Sequence, residues 1–301
     1  MGGQGGGTGE RTASGRLDGG TVPVVDAATV VLVRDADGTR SAATEPTGSD
    51  AADDRLEVLL LERHLRSDFA GGALVFPGGK VDAMDRELAP DRWRIDDLGR
   101  WVELLGAGDR ATALGLLVAA VRETFEEAGI LLALRSDGAA VTQEDLATPD
   151  AREARAKLAE RGGHWDWRPW LVERGLVLDL PRLGMWSWWV TPSGQHRRFD
   201  TRFLLATVPP GQHARHDAIE TTSLRWTRPR EALAAQARGD ATVIYPTRCN
   251  LRALATYPDV ASVQRAVLED AVDRRRIEPS IVHVDGRPMV QHPDGGAPEP
   301  I

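Results

Sequence analysis

The stretch RETFEEAGI, residues 122–130, places an arginine and three glutamates in six consecutive positions. It follows directly on the apolar run ATALGLLVAAV, residues 111–121. Glu123, Glu126 and Glu127 are spaced i, i+3 and i+4, so a helix brings their carboxylates to one face. Like charges on one helix face repel one another unless a positive group lies among them. The stretch therefore predicts a helix that holds a cation, and a divalent metal ion is our hypothesis for that cation.

Local signals predict where this helix begins and ends. The pattern indicates a helix from about Arg110 to Ala128, with Asp109 as the N-cap candidate. Gly129 stands just past the end, where a left-handed glycine commonly terminates a helix. Ahead of the helix, residues 73–82, ALVFPGGKVD, predict a strand that ends in a Pro-Gly-Gly turn. Glycine in such a turn lets the backbone approach a ligand closely.

The composition is that of a soluble globular protein, with 42% hydrophobic and 27% charged residues among 301. The single cysteine, Cys249, rules out an internal disulfide and fits a reducing, cytoplasmic location. We see no apolar run of transmembrane length and no signal peptide, so no membrane association is expected. The net charge of −8 argues against binding to nucleic acid.

The order of predicted elements favours an α+β sandwich over a doubly wound sheet. β-branched runs at about 24–34 and 56–64 predict an antiparallel strand pair with a long polar connection. A helical segment at about 140–180 precedes two more strands, and residues 280–290, SIVHVDGRPMV, predict a terminal hairpin turned at Asp285-Gly286. Strands mixed with one strongly signalled helix predict a mixed sheet with helices packed on it.

Composition also sets the expected domain boundaries. Residues 1–20 contain nine glycines and almost no apolar side chains, so we expect a disordered tail. Residues 21–290 are expected to form one domain. Residues 291–301 are expected to be a second disordered tail.

Two segments together resemble the ends of a Nudix box, GX5EX7REUXEEXGU, in which U is aliphatic. Gly79 in GGKVDAMD matches the opening glycine, and RETFEEAGI matches the closing half, with Thr124 at an aliphatic position. The resemblance extends over most of residues 22–256 and includes VFPGGKVDAMD, WVTP and RRFDTRF. It implies a Nudix-type α/β/α sandwich with a mixed sheet, a catalytic helix after a glycine-rich turn, and helical insertions. A solvated, glutamate-rich helix face is the alternative for an isolated ExxEE.

The sequence departs from the box in two ways. Arg122 lies 43 positions after Gly79 instead of 14, an excess of 29 residues, which predicts an insertion over about 85–109. A long insertion of this kind is typical of the branch related to the eukaryotic coenzyme A diphosphatases. The first box glutamate is also missing: counting from Gly79 gives Asp85, and counting back from Arg122 gives Leu114. Either the shorter acid substitutes or that carboxylate is lost.

The resemblance implies a set of catalytic and metal-binding residues. Mg²⁺, with Mn²⁺ as an alternative, takes oxygen ligands, which Glu126 and Glu127 provide. Glu123 could bind an ion or act as general base, and Arg122, which cannot lose its proton, is suited to orienting a carboxylate. The carbonyl of Gly79 could approach the metal. A weaker candidate metal ligand is Glu220, and an exposed loop acid is an equally good interpretation of it.

Binding a phosphorylated substrate needs fixed positive charge. The segment LLLERHLRSDFAGGALVFPGG, residues 59–79, resembles a coenzyme A signature found ahead of the box in related diphosphatases. We therefore expect four substrate-binding candidates, which are Arg63, Arg66, Lys80 and Arg198. Arg66 stands two positions early for that signature, and an arginine that ends a strand is commonly just solvated.

The resemblance predicts a hydrolase of diphosphate bonds, with coenzyme A or an acyl derivative as the favoured small-molecule substrate. The products would be 3′,5′-ADP and 4′-phosphopantetheine. ADP-ribose, NADH or another nucleoside diphosphate derivative is the alternative substrate. A catalytically silent nucleotide sensor is a third interpretation, against which the three retained glutamates count. A homodimer is the expected assembly if the chain associates.

Overall fold

A computed structural model describes residues 22–36, 54–63, 72–160, 165–215 and 221–301. The predicted tail at 1–20 lies outside these ranges, as do Arg66 and Glu220. The chain begins with four strands, which are β1 (Val24–Asp35), β2 (Leu56–Arg63), β3 (Ala73–Val75) and β4 (Gly78–Lys80). The predicted antiparallel pairing of β1 with β2 is confirmed, with Val33 opposite Val58.

The middle of the chain carries the insertions and the box helix. Its elements are β5 (Trp93–Arg94), α1 (Leu98–Leu104), α2 (Arg110–Glu123), β6 (Ala133–Leu134), α3 (Gln143–Leu146), α4 (Pro149–Leu158), α5 (Arg168–Glu173) and β7 (Val177–Asp179). Short 3-10 turns lie at Ala83–Glu87, Pro90–Arg92 and Leu180–Arg182. Strands β5, β6 and β7 form a small sheet that joins the box insertion to the second helical insertion.

The remaining elements complete the main sheet and cover its second face. They are β8 (Gly184–Val190), β9 (Arg198–Thr207), β10 (Thr221–Thr227), α6 (Pro229–Arg238), β11 (Thr242–Val243), α7 (Tyr245–Leu254), α8 (Val260–Leu268), β12 (Arg276–Ile277), β13 (Ser280–Val284), β14 (Arg287–Gln291) and β15 (Glu299–Pro300). None of the helices in the described ranges is long and apolar enough to span a membrane.

The main sheet is mixed and has helices on both faces. Its strands run in the order β11-β3-β2-β1-β9-β8-β12, with β10 also paired with β2 and β4 with β1. Strand β1 alternates: Val30 and Leu32 pack on the side of α2, and Val31 and Val33 pack on the side of α7 and α8. The predicted α/β/α sandwich is therefore confirmed.

The box helix has the predicted ends but an unexpected last turn. Asp109 caps its start, accepting a hydrogen bond of 2.7 Å from the Thr112 amide. After Glu123 the chain makes one turn of π-helix, Thr124–Ala128, and Gly129 ends it at φ +67°. The wider π turn, rather than a regular α-helix, thus carries the last two glutamates of the box.

Residues 291–301, for which a disordered tail is expected, carry strand β15 in the structure. Strand β15 pairs with β14, with Glu299 opposite Val290. Glu299 also forms a salt bridge of 2.6 Å with Arg252 on α7. Pairing and charge together hold this end of the chain to the second face of the molecule. The hairpin turned at Asp285-Gly286 is confirmed, since both residues have positive φ.

Candidate active site

The glycine turn and the box helix are packed directly against each other. In β4, Gly79 pairs with Ala28 of β1, beneath α2. A Cβ atom added at Gly79 would lie 2.6 Å from Oε1 of Glu123, so only glycine leaves room for that carboxylate. Oε2 of Glu127 accepts a hydrogen bond of 2.8 Å from the Gly78 amide. The turn therefore lies against Glu123 and holds the carboxylate of Glu127 by a hydrogen bond.

Arg122 joins the carboxylates of the site. Its Nε and Nη2 each donate a hydrogen bond of 3.0 Å to Asp85, one to each carboxylate oxygen. Its Nη1 donates to Glu123 at 2.8 Å and to Glu126 at 3.4 Å. Nη2 also donates to the carbonyl of Lys80 at 3.0 Å. One guanidinium thus spans the glycine turn, the box insertion and the helix.

Asp85, one of the two positions considered for the missing box glutamate, binds Arg122. It is the residue given by counting from Gly79, and its side chain is fully buried against Arg122. Its Oδ2 also accepts a hydrogen bond of 2.9 Å from the Asp82 amide, which closes the 3-10 turn. Leu114, given by the other count, is a buried apolar residue of the core. The shorter acid reaches Arg122 because the 3-10 turn brings its backbone close to the helix.

Burial and charge act in opposite directions on the titrating groups. Burial raises the pKa of Glu123 above its ordinary value, although the neighbouring Arg122 acts to lower it. The pKa of Asp85 is raised for the same reason and opposed by the same arginine. Burial alone would lower the pKa of Arg122, but the charges of Glu123 and Asp85 raise it well above its ordinary value. Arg122 is therefore a permanent cation.

The chemistry of the donor atoms fits a hard divalent cation. The carboxylates of Glu123, Glu126 and Glu127 and the carbonyl of Gly79 all offer oxygen, which Mg²⁺ and Mn²⁺ prefer. Within the described residues, no group of three side chains already converges as it would around a bound ion. Two of the glutamates instead share one nitrogen of Arg122. These residues could hold a metal ion that replaces Arg122 as the partner of the two carboxylates.

The structure gives one predicted substrate ligand a different partner. Arg198 is buried, and its Nη2 lies 2.5 Å from Oε1 of Glu278, while its Nε donates to the carbonyl of Thr191. Its charge is therefore already neutralised by the protein. No described contact joins it to the box residues, and its role in substrate binding stays a prediction.

The other two described candidates stay predictions. The Lys80 side chain is exposed, and its Nζ lies 3.3 Å from Asp82 beside the box turn. Arg63 ends β2, where its carbonyl accepts a hydrogen bond of 3.0 Å from Gly72. A cavity of about 170 Å³ lies near this strand end, lined by Glu62, Gly72, Leu74, Arg225, Gly239, Asp240, Ala241 and Thr242. It contains none of the box residues and is smaller than the roughly 300–1,000 Å³ of most ligand pockets.

Sequence reasoning missed Arg155, which lies in the second helical insertion. Its Nε and Nη2 donate to the backbone carbonyls of Glu126 and Glu127, at 2.8 and 3.0 Å. The surrounding sequence, AREARAKL, reads only as a polar helix with charged residues on its surface. No local signal distinguishes Arg155 from Arg152, because the contact forms only when α4 packs on the box helix.

Comparison with known proteins finds similar sequences among Nudix proteins. A family model described as the NUDT19 Nudix domain matches residues 109–254. The acyl-coenzyme A diphosphatase NUDT19 of Gallus gallus is 33% identical over 244 residues, which cover 69% of this chain and 62% of the relative. The protein of that name from Homo sapiens is 26% identical over 287 residues, covering 82% of this chain and 72% of the relative.

The chain spans 62% and 54% of the lengths of its Gallus gallus and Xenopus laevis relatives. A solved structure, that of a NUDIX hydrolase from Alicyclobacillus acidocaldarius, is similar over nearly its whole length. The two share 30% identity with a TM-score of 0.61, over 81% of this chain and 96% of the other. Fold and sequence similarity agree, and the chain belongs to the Nudix hydrolase superfamily, with similarity to its NUDT19 members.

Proposed function

We propose that the protein is a metal-dependent diphosphatase that hydrolyses coenzyme A or acyl-coenzyme A to 3′,5′-ADP and (acyl-)4′-phosphopantetheine. The observation that carries the hydrolase assignment is the contact of Arg122 with Glu123, Glu126 and Asp85 beside the Gly79 turn. The substrate assignment is supported by the similarity to relatives named acyl-coenzyme A diphosphatase.

Each residue of the site has a chemical part in this proposal. Water attacks one phosphorus, the bridging P–O bond breaks, and the proton of the water passes to a carboxylate. We assign that proton to Glu123, because burial raises its pKa toward the range where a general base works best. Arg122 holds the base in position and cannot take the proton itself. Glu126, Glu127 and the carbonyl of Gly79 are the proposed metal ligands.

A bound divalent ion would neutralise the charge that develops on the phosphoryl oxygens. Mg²⁺ is the proposed ion, with Mn²⁺ as a substitute, because all the donors are hard oxygens. The close approach of Gly79 to the Glu123 carboxylate supports placing the glycine turn beside the proposed base. This arrangement supports one site that serves both the metal and the base.

The test is turnover of coenzyme A, ADP-ribose and NADH side by side with Mg²⁺, with the products separated by chromatography. We expect coenzyme A to give 3′,5′-ADP with the highest kcat/KM. Hydrolysis of another diphosphate in preference to coenzyme A would contradict the substrate assignment and leave the hydrolase assignment standing. A protein that binds all three and cleaves none would be a sensor.

Two variants separate the base from the metal ligands. Glu123→Gln should lower kcat by about 10²- to 10⁴-fold, the usual contribution of general base catalysis. Glu126→Gln should raise the Mg²⁺ concentration needed for half-maximal activity. Glu103→Gln, an exposed glutamate on α1, is the matched control and should behave as the unaltered protein. Unchanged turnover in Glu123→Gln would refute the assignment of the base.

A further inference from the structure

The carbonyl end of the box helix is occupied by one side chain from a separate part of the chain. The last carbonyls of a helix have no partner within the helix and need one from elsewhere. Here the carbonyl of Glu126 accepts from Nε of Arg155 at 2.8 Å, and that of Glu127 accepts from Nη2 at 3.0 Å. A single guanidinium therefore binds the backbone of both glutamates that we propose as metal ligands.

The other carbonyls of the π turn have their own partners. Those of Thr124 and Phe125 accept from the amides of Ile130 and Gly129, at 3.4 and 3.0 Å. That of Ala128 accepts from the Arg215 amide at 2.8 Å. Arg155 thus binds the two carbonyls of this turn that belong to the glutamates.

The contact between Arg155 and the end of the box helix also has an electrostatic effect. The carbonyl end of a helix carries roughly half a negative charge, which disfavours carboxylates in the last turn and favours cations. The box nevertheless puts two glutamates there. The guanidinium of Arg155 offsets the helix dipole from the backbone side, while Arg122 offsets the carboxylate of Glu126 from the side-chain face. A cation on the backbone side and another on the side-chain face thus offset the negative charge at this end of the helix.

The fit around Arg155 is close. A Cβ atom at Gly129 would lie 2.8 Å from its Nη1, so Gly129 both ends the helix with positive φ and makes room for the guanidinium. Nη2 of Arg155 also donates to the carbonyl of Arg215. The one side chain therefore ties α4 and the chain at Arg215 to the end of the box helix.

We propose that Arg155 is a positioning residue that fixes the π turn and so places Glu126 and Glu127 for metal binding. The expected effect of Arg155 on kinetics rests on the proposed function. The direct test of its role requires only that the protein binds a metal ion. It gives the second helical insertion a part in the active site, since α4 supplies the guanidinium.

The experiment measures the dissociation constant of Mn²⁺ by electron paramagnetic resonance for the unaltered full chain, Arg155→Ala and Arg155→Lys. Loss of an outer contact to a metal ligand typically weakens metal binding by about 10- to 100-fold, which we expect for Arg155→Ala. Arg155→Lys should recover only part of this, because an ammonium cannot donate along two fixed directions. Arg152→Ala, an exposed arginine on the same helix, should bind Mn²⁺ as the unaltered protein does.

Further measurements separate positioning from general stability. At saturating Mn²⁺ with coenzyme A as substrate, Arg155→Ala should lower kcat more than it raises KM. Amide hydrogen exchange at 124–130 should speed up in both Arg155 variants, and that of β1 and β9 should not. If Arg155→Ala fails to fold, Arg155→Lys decides by the same measurements.

Unchanged Mn²⁺ affinity in a folded Arg155→Ala or Arg155→Lys protein would overturn the inference. Normal Mn²⁺ binding by the unaltered protein without cleavage of any diphosphate would instead overturn the proposed function, and the Arg155 comparison would still stand. If the unaltered protein bound no Mn²⁺, both the proposed function and the proposed role of Arg155 would be refuted.

Discussion

Arg122 binds Asp85 with two of its nitrogens and the glutamates of the box with the third. Nε and Nη2 hold Asp85 in the two-point geometry that planar guanidinium and carboxylate groups favour. This leaves Nη1 to face Glu123 and Glu126. Because Asp85 fixes the orientation of the guanidinium, it controls indirectly where the two glutamates lie. The pair is thus a structural support for the site as well as a buried salt bridge.

Replacing Asp85 should therefore cost stability and activity together. Removing one partner of a buried ion pair typically destabilises a protein by about 3–5 kcal/mol. For Asp85→Ala we expect a loss near the lower end of this range, because Arg122 would still donate hydrogen bonds to Glu123 and to the carbonyl of Lys80. Urea denaturation would measure the loss, with Asp91→Ala, an exposed acid of the same insertion, as the control. A stability equal to that of the control would show that the Asp85 contact contributes little.

At the level of elements, the box insertion is fastened to the helix beside its glutamates. Arg86, next to Asp85, donates to Thr112 of α2 at 2.8 Å and to Asp26 of β1 at 2.9 Å. The aliphatic part of the Arg86 side chain crosses the helix at Gly115. The 3-10 turn that presents Asp85 therefore depends on close approach to α2 at one glycine.

Gly115→Ala tests this close approach. In a helix interior alanine is favoured over glycine by about 1 kcal/mol. Here the new Cβ would lie 2.6 Å from Cγ of Arg86 and 3.1 Å from Cγ1 of Val81, and such overpacking costs about 1–3 kcal/mol. We expect a net loss of stability, measured by urea denaturation. Adding Arg86→Ala removes the nearer clash, so Gly115→Ala should destabilise that background less or stabilise it.

The C-terminal strand should respond to pH through one carboxylate. A hydrogen bond from Arg252 lowers the pKa of Glu299 below its ordinary 4.5, against a smaller opposing effect of burial. A lowered folded-state pKa gives stability that is present above pH 4.5 and lost as the pH falls through the lowered value. Amide protection relative to the intrinsic exchange rate should therefore fall in β14 and β15 below pH 4.5 before it falls in β1. Glu299→Gln should exchange faster at neutral pH and lose this pH dependence.

Elements with local signals were predictable from the sequence, and those held by distant contacts were not. Asp109 and Gly129 mark the helix ends through their own backbone chemistry, so both could be read directly. Residues 291–301 have no such pattern, and β15 forms because α7 presents Arg252 to Glu299. The contact of Arg155 with the box helix likewise depends on packing between segments 29 residues apart.

In the whole molecule, strand β1 is the point where the site and the core meet. It pairs with β2, β4 and β9, so it carries the glycine turn and the middle of the main sheet together. The box insertion and the second helical insertion both pack on the face that carries α2. Three segments far apart in sequence thus converge on one helix. We therefore expect a change of charge at the C-terminal end of the box helix to change the free energy of unfolding of the whole protein.

Metal binding should for this reason stabilise the whole protein. A ligand that binds only the folded state at 100 times its dissociation constant adds about 2.7 kcal/mol, which raises the Tm of a domain this size by about 5 °C. Mn²⁺ added to chelator-treated protein should give a shift of this size in a thermal melt, and chelation should reverse it. Glu126→Gln should shift much less, because one proposed ligand is gone, while Glu103→Gln should shift fully. An equal shift in the Tm of Glu126→Gln would show that the stabilising ion binds away from the box. A metal ion held by these glutamates would bind more weakly after the loss of one of them.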